Sequence, residues 1–268
     1  MTEPGEVSRL TQDQGKTSLR TLADMVPLTP YNEEFYIQRV NDGDLVFAGK
    51  SHTSPLTYFA ECDFQSFDSL LSRITPGITE ELFTGQEKFA DVLPGQTDDF
   101  RRTVHACWRA ARAAKHILKN PTMKNAAAVG AGYENYRVPG EKYCAKPLSA
   151  SVGDATCLDY ALVAHRALEK MGKPSAVVIG ARADPVTRSI EEHTFLVLDS
   201  GNLVFDPTLT VHQDKCWPPW VLEPESPLTV DTLQNLAADG SFGHKISCTD
   251  IFSGATLLYG SGTGWTLD

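Results

Sequence analysis

The sequence predicts an α+β fold in which a helix that opens at a cysteine packs on an antiparallel sheet. Three observations predict it. Apolar residues recur at helical spacing over residues 98–119 and again over 157–171. β-rich runs come in pairs around turn signals, at 35–48 and at 193–205. That second pair, with a further strand-like run at 175–180, follows the second helix in the chain.

At 268 residues, 41% of them hydrophobic and 22% charged, the chain has room for one large domain or two small ones. Either arrangement buries a substantial core and leaves a cleft. With 24 Lys+Arg against 34 Asp+Glu, the formal charge is −10. A nucleic-acid binder presents a basic face. Here the densest basic stretch, from Arg101 to Lys119, lies on one helix and reads as its solvated side, so no nucleic-acid partner is expected. No apolar run approaches the roughly 18 residues of a membrane span. The polar N-terminal stretch lacks the basic and apolar regions of a secretory signal, so the location expected is the cytoplasm, or secretion without a conventional signal peptide. The six cysteines, Cys62, Cys107, Cys144, Cys157, Cys216 and Cys248, form no C-x-x-C pair. They read as mostly reduced thiols, with room for a bridge or two, rather than zinc ligands.

Taken in order, residues 1–30 are polar and read as a flexible leader. Residues 31–140 read as a mixed N-terminal segment, and 141–268 as the core that carries the chemistry. In the segment, runs at 35–40 and 45–48 flank Asn41-Asp42-Gly43-Asp44, a hairpin signal because Asp-Gly supplies positive φ. Residues 65–90 read as short helices broken by Pro76-Gly77. The helix over 98–119 carries Phe100, Val104, Trp108 and Ala111 as a core stripe and stops at Asn120-Pro121. The glycines of 126–132 form no nucleotide-binding pattern. A half-buried helix over 157–171 stops at Gly172-Lys173-Pro174, and strands at 193–198 and 203–205 flank the turn Asp199-Ser200-Gly201-Asn202. The tail, 216–268, reads as irregular wrapping with a short helix near 229–237.

The chemistry concentrates at three residues. Thr156 can cap the helix, with Asp159 completing a capping box, which puts Cys157 in the first turn. Free backbone N–H groups and the helix dipole there favour a thiolate. His165 sits two turns on, about 12 Å along the axis, and is a poor base. His193 opens one strand and Asp206 closes the next. The two read as mirror positions about the turn, where a carboxylate can orient an imidazole. Cys157, His193 and Asp206 thus form a candidate nucleophile, base and orienter. Taken singly, each is more often a buried thiol, a surface histidine and a turn or cap residue.

The stretches GDATCLDYALVAHRALEKMGKPSAVVIG, EEHTFLVL and GNLVFDPT resemble the transglutaminase-like branch of the papain-like cysteine enzymes. The likeness spans about residues 150–210. It implies a papain/transglutaminase-like core, a catalytic role for Cys157, His193 and Asp206, and no metal or organic cofactor. It also implies action on amide groups of a protein substrate, as a glutamine deamidase or transglutaminase. The short spacing is most similar to bacterial toxin and effector deamidases, which implies delivery into a host cell. A thiol protease is the alternative within that chemistry, and a non-catalytic binding module on the same scaffold is the alternative outside it. The sequence departs from the pattern in carrying Ser151 where papain-type enzymes place an oxyanion glutamine, and Phe195 where transglutaminases often carry tryptophan. The backbone N–H of Cys157 can supply one oxyanion donor, with Gln213 as the candidate second.

Overall fold

The computed structural model describes residues 26–29, 32–38, 46–50, 57–61, 64–74, 93–119, 134–137, 139–140, 143–184, 189–212, 216–228 and 245–260. The candidate oxyanion residue Gln213, the glycines of 126–132 and the expected helix near 229–237 lie outside them. The mixed helix and antiparallel-sheet class is the one the sequence predicts.

Eleven strands and four α-helices are present among the described residues. β1 (Val26–Thr29), β2 (Asn32–Gln38), β6 (Ser175–Asp184), β7 (Ser189–Leu198), β8 (Leu203–Phe205), β9 (Val221–Pro224), β10 (Lys245–Asp250) and β11 (Thr256–Gly260) form the main sheet. Its order is β1-β2-β6-β11-β10-β9-β8-β7, and β7 pairs back with β6 along its whole length. Six strands therefore curl into a closed antiparallel ring, which leaves them no exposed edge. β2 extends that sheet from the first half of β6, at Val177 and Val178, while β11 pairs with its second half at 181–183. A smaller sheet holds β3 (Val46–Lys50), β4 (Thr57–Glu61) and β5 (Tyr143–Pro147), with β4 and β5 parallel.

The helices are α1 (Phe64–Leu71), α2 (Asp98–Leu118), α3 (Cys157–Lys170) and α4 (Pro207–His212). Strand alternation divides the apolar residues between two cores. Phe195, Val197, Val204, Leu222, Ile246, Cys248 and Tyr259 pack inside the ring. Leu196, Leu198, Leu203 and Phe205 face outward onto α1, α2 and α3. Apolar residues from both sides of the expected 140/141 boundary share this outer core: Val104, Ala111 and Leu118 of α2 pack with Leu162 and Leu168 of α3.

Several expectations need correction. The runs at 35–40 and 45–48 do form strands, but not a hairpin with each other. β2 pairs with β1 and β6, whereas β3 pairs with β4. A turn signal sets a local bend, while the strand partners are chosen by which sheet offers a complementary buried face. The expected leader runs into β1, whose residues pair with β2. The tail is not irregular: it supplies β9, β10 and β11, which close the ring. Its signal was the alternation of buried Ile246, Cys248 and Asp250 with Ser247 and exposed Thr249. α3 is not half-buried either, since every residue from Asp159 to Leu168 is buried. α2 covers one side and β6 and β7 the other, so even Arg166 is enclosed, paired with Glu169 at 2.7 Å.

The turn between β7 and β8 is tight. Gly201 has φ +99°, and a Cβ there would lie 2.6 Å from the carbonyl carbon of Leu228, whose N–H donates to the Gly201 carbonyl. Gly201→Ala is expected to destabilise the protein by about 1–3 kcal/mol in urea unfolding; an unchanged midpoint would show that the 228 segment yields freely.

Candidate active site

α3 begins where the sequence places it. Thr156 is the N-cap, and its N–H donates to Asp159 Oδ2 at 2.7 Å, one arm of the capping box. Asp159 is itself buried and ties the helix start to its surroundings. Ser151 Oγ donates to its Oδ1 at 2.6 Å, and the buried Lys146 Nζ lies 3.4 Å from its Oδ2. Lys146 also donates to the Asp154 carbonyl at 2.7 Å. Ser151 is thus fully enclosed and spent on this anchor.

Cys157 is the first residue of α3 and is partly exposed, with its Sγ 3.8 Å from Thr194 Oγ1 on β7. The remaining described thiols differ. Cys107, Cys216 and Cys248 are buried, and burial raises all three, Cys248 to about 12. A thiol must be both accessible and able to ionise to react, and Cys157 is the accessible one among them. The side chains of Cys62 and Cys144 lie outside the described residues.

The structure brings His193 and Asp206 together. His193 Nε2 and Asp206 Oδ2 are 2.7 Å apart, with both side chains fully buried. The route differs from the mirror relation. β7 and β8 pair as Leu196↔Phe205, Val197↔Val204 and Leu198↔Leu203. Continuing that register sets Asp206 across from Phe195, with His193 one diagonal step further on the same face. The cause is the turn, a three-residue 3-10 segment over Asp199–Gly201, which centres the hairpin one residue later than expected. Nor does His193 open its strand, because β7 starts at Ser189 and His193 pairs with Gly180 of β6 in its middle.

Asp206 does two jobs. Its Oδ1 accepts the Leu209 N–H at 2.9 Å and so caps α4, the ordinary role of an Asp before Pro. Its Oδ2 accepts Tyr259 Oη at 2.9 Å and faces Arg182 at 3.4 Å besides holding His193. Burial alone would raise its pKa. The His193 charge and hydrogen bond, Arg182 and the Leu209 N–H outweigh burial and hold it at about 2. Burial likewise opposes charge on His193. The Asp206 charge and hydrogen bond, joined by the Cys157 thiol, overcome it and raise the ring to about 9. His193 Nδ1, the ring nitrogen not held by Asp206, has no hydrogen-bond partner among the described atoms. Tyr259, buried and beside the carboxylate, is raised well above its ordinary value and stays a donor.

Sequence reasoning passed over Arg182 and Tyr259. They sit on strands 77 residues apart in sequence yet face each other in register across β6 and β11. No local pattern marks such a pair. His165, in contrast, is a buried structural residue: burial, then Arg166, lowers it to about 3, and its Nδ1 lies 2.7 Å from Ser175 Oγ.

No cluster of three or more His, Cys, Asp or Glu placed to hold a metal occurs among the described residues, and no helix there is long and apolar enough to cross a membrane. The chain matches no protein-family model, and no curated protein or solved structure was found that resembles it.

Two outcomes follow. Asp159→Ala leaves the buried Lys146 ammonium without its carboxylate, so urea unfolding should show a loss of about 3–5 kcal/mol. The charged pair also sets a pH dependence. The folded state favours protonated His193, so this contribution is complete below pH 6.5 and fades as pH rises towards about 9. Ionised Asp206 contributes above pH 3.8 and is lost as pH falls towards about 2. The stability gap between the native protein and His193→Gln should therefore narrow between pH 6.5 and 9, and a constant gap would count against a charged ring.

Proposed function

We propose that this protein is a cysteine-nucleophile enzyme acting on amide groups of a protein substrate, as a glutamine deamidase or transglutaminase. The observation that carries the reading is the His193–Asp206 pair at 2.7 Å with the partly exposed Cys157 sulfur 3.8 Å from Thr194, the residue that follows His193 on β7. A core of the papain/transglutaminase kind accounts for its parts: a cysteine opening a buried helix, and a histidine and an aspartate from adjacent antiparallel strands. The burial pattern supports the same assignment, because the sulfur can reach a substrate while the ring and carboxylate are shielded from water.

In the proposed reaction His193 holds the proton that Cys157 has released. The thiolate attacks the amide carbonyl carbon, and the Cys157 N–H, at a helix end with no intrahelical acceptor, can stabilise the developing oxyanion. Collapse breaks the C–N bond, and ammonia departs with the proton of His193, leaving a thioester on Cys157. Water or an acceptor amine then gives its proton to His193 and displaces the thiolate. Asp206 keeps the ring oriented throughout and stays ionised.

The test combines labelling with mass measurement. Iodoacetamide near pH 6–7, followed by peptide mapping, should modify Cys157 ahead of the other five cysteines, and His193→Ala should slow that labelling at least about tenfold. Slow, uniform labelling unaffected by the substitution would leave a binding module. A mass gain of about one dalton on a glutamine-bearing protein marks deamidation, whereas new chain termini mark proteolysis.

A further inference from the structure

We propose that Tyr259 and Arg182 are positioning residues that lock the Asp206 carboxylate against His193 and set the pH range over which Cys157 is active. The inference rests on the cysteine-nucleophile reading and extends it to two residues outside the Cys–His–Asp set.

A carboxylate bonded only to an imidazole can rotate about its own side chain. Asp206 cannot, because it is held from four elements. Oδ2 takes His193 of β7 at 2.7 Å, Tyr259 of β11 at 2.9 Å and Arg182 of β6 at 3.4 Å, while Oδ1 takes the Leu209 N–H of α4 at 2.9 Å. Arg182 and Tyr259 are directly opposed in the β6–β11 register, so one cross-strand pair supplies both extra donors. Tyr259 is anchored in turn by edge-on packing against Phe195, at 4.9 Å between ring centroids. Among the described residues, the charged or titratable groups acting on the His193–Asp206 pair are Cys157 of α3, Arg182 and Tyr259, with Cys248 of β10 acting on Tyr259.

The pair has a chemical consequence. Each donor on Oδ2 draws density away from the oxygen that holds the imidazolium proton, and Arg182 adds a positive charge beside it. Both weaken the grip of Asp206 on that proton, so His193 can release it to a leaving group. Without them the ring would hold its proton to higher pH and act as a poorer acid. The site is also incomplete without β11, the last described strand of the chain.

The test uses the full chain with Tyr259→Phe, which removes only the hydroxyl, with Arg182→Met and with Arg182→Lys. Two readouts are taken: the His193 titration by nitrogen-15 NMR and the pH profile of Cys157 alkylation by iodoacetamide. Tyr259→Phe and Arg182→Met should move both midpoints upward by about 0.5–1 pH unit, and Arg182→Lys should return them most of the way. Folded variants with both midpoints unmoved overturn the proposal. If one variant fails to fold, the other decides, since each removes a different donor from the same oxygen. If alkylation of the unsubstituted protein ignores His193→Ala, the cysteine-nucleophile reading falls, while the NMR titration still reports whether the brace acts on the ring.

Discussion

The structure is organised around one fully buried carboxylate. An isolated ionised group in such a place would be too costly to keep. Asp206 is tolerated because four donors converge on it: an imidazole, a phenol, a guanidinium and a backbone N–H. Those donors come from four separate elements, so satisfying the carboxylate fixes the relative placement of β6, β7, β11 and α4. The curl of the sheet is what allows the convergence. In a flat sheet β11 and β8 would lie too many strands apart to share an oxygen, whereas in a closed ring their side chains meet inside.

A second buried anchor holds the start of α3. Lys146, Ser151 and the Thr156 N–H hold Asp159, and Asp159 holds the start of the helix. The two anchors sit on different bodies, one inside the ring and one at the helix end, and Cys157 lies between them at the seam. Its sulfur meets Thr194 on the outward face of β7, while His193, the preceding residue, points to the inner face. A strand turns its side chains to alternate faces, so two neighbouring residues can serve the two bodies at once. Under the proposed function, this seam is where a substrate amide would enter.

Part of the site was legible in the sequence because its signals are local. Thr156-Cys157-Leu158-Asp159 is a capping pattern readable from four residues, and it does open a helix at Cys157. The β7–β8 hairpin was likewise marked by its Gly201 turn, although the register was off by two positions because a 3-10 turn shifts the centre. The β2–β3 hairpin failed because its turn signal said nothing of which sheet each strand would join. Arg182 and Tyr259 were invisible for the same reason, as their pairing depends on strands far apart in the chain.

The sequence by itself determined the mixed class, the two long helices, the helix start at Cys157 and the candidate trio of thiol, imidazole and acid. Those follow from spacing, capping and turn chemistry, which act within a few residues. Tertiary structure alone decided that the strands of the C-terminal tail would close a ring and that a tyrosine and an arginine would converge on Asp206. Such choices come from burying two faces of one sheet at once. That is a property of how distant strands fit together, and no short window of residues carries it.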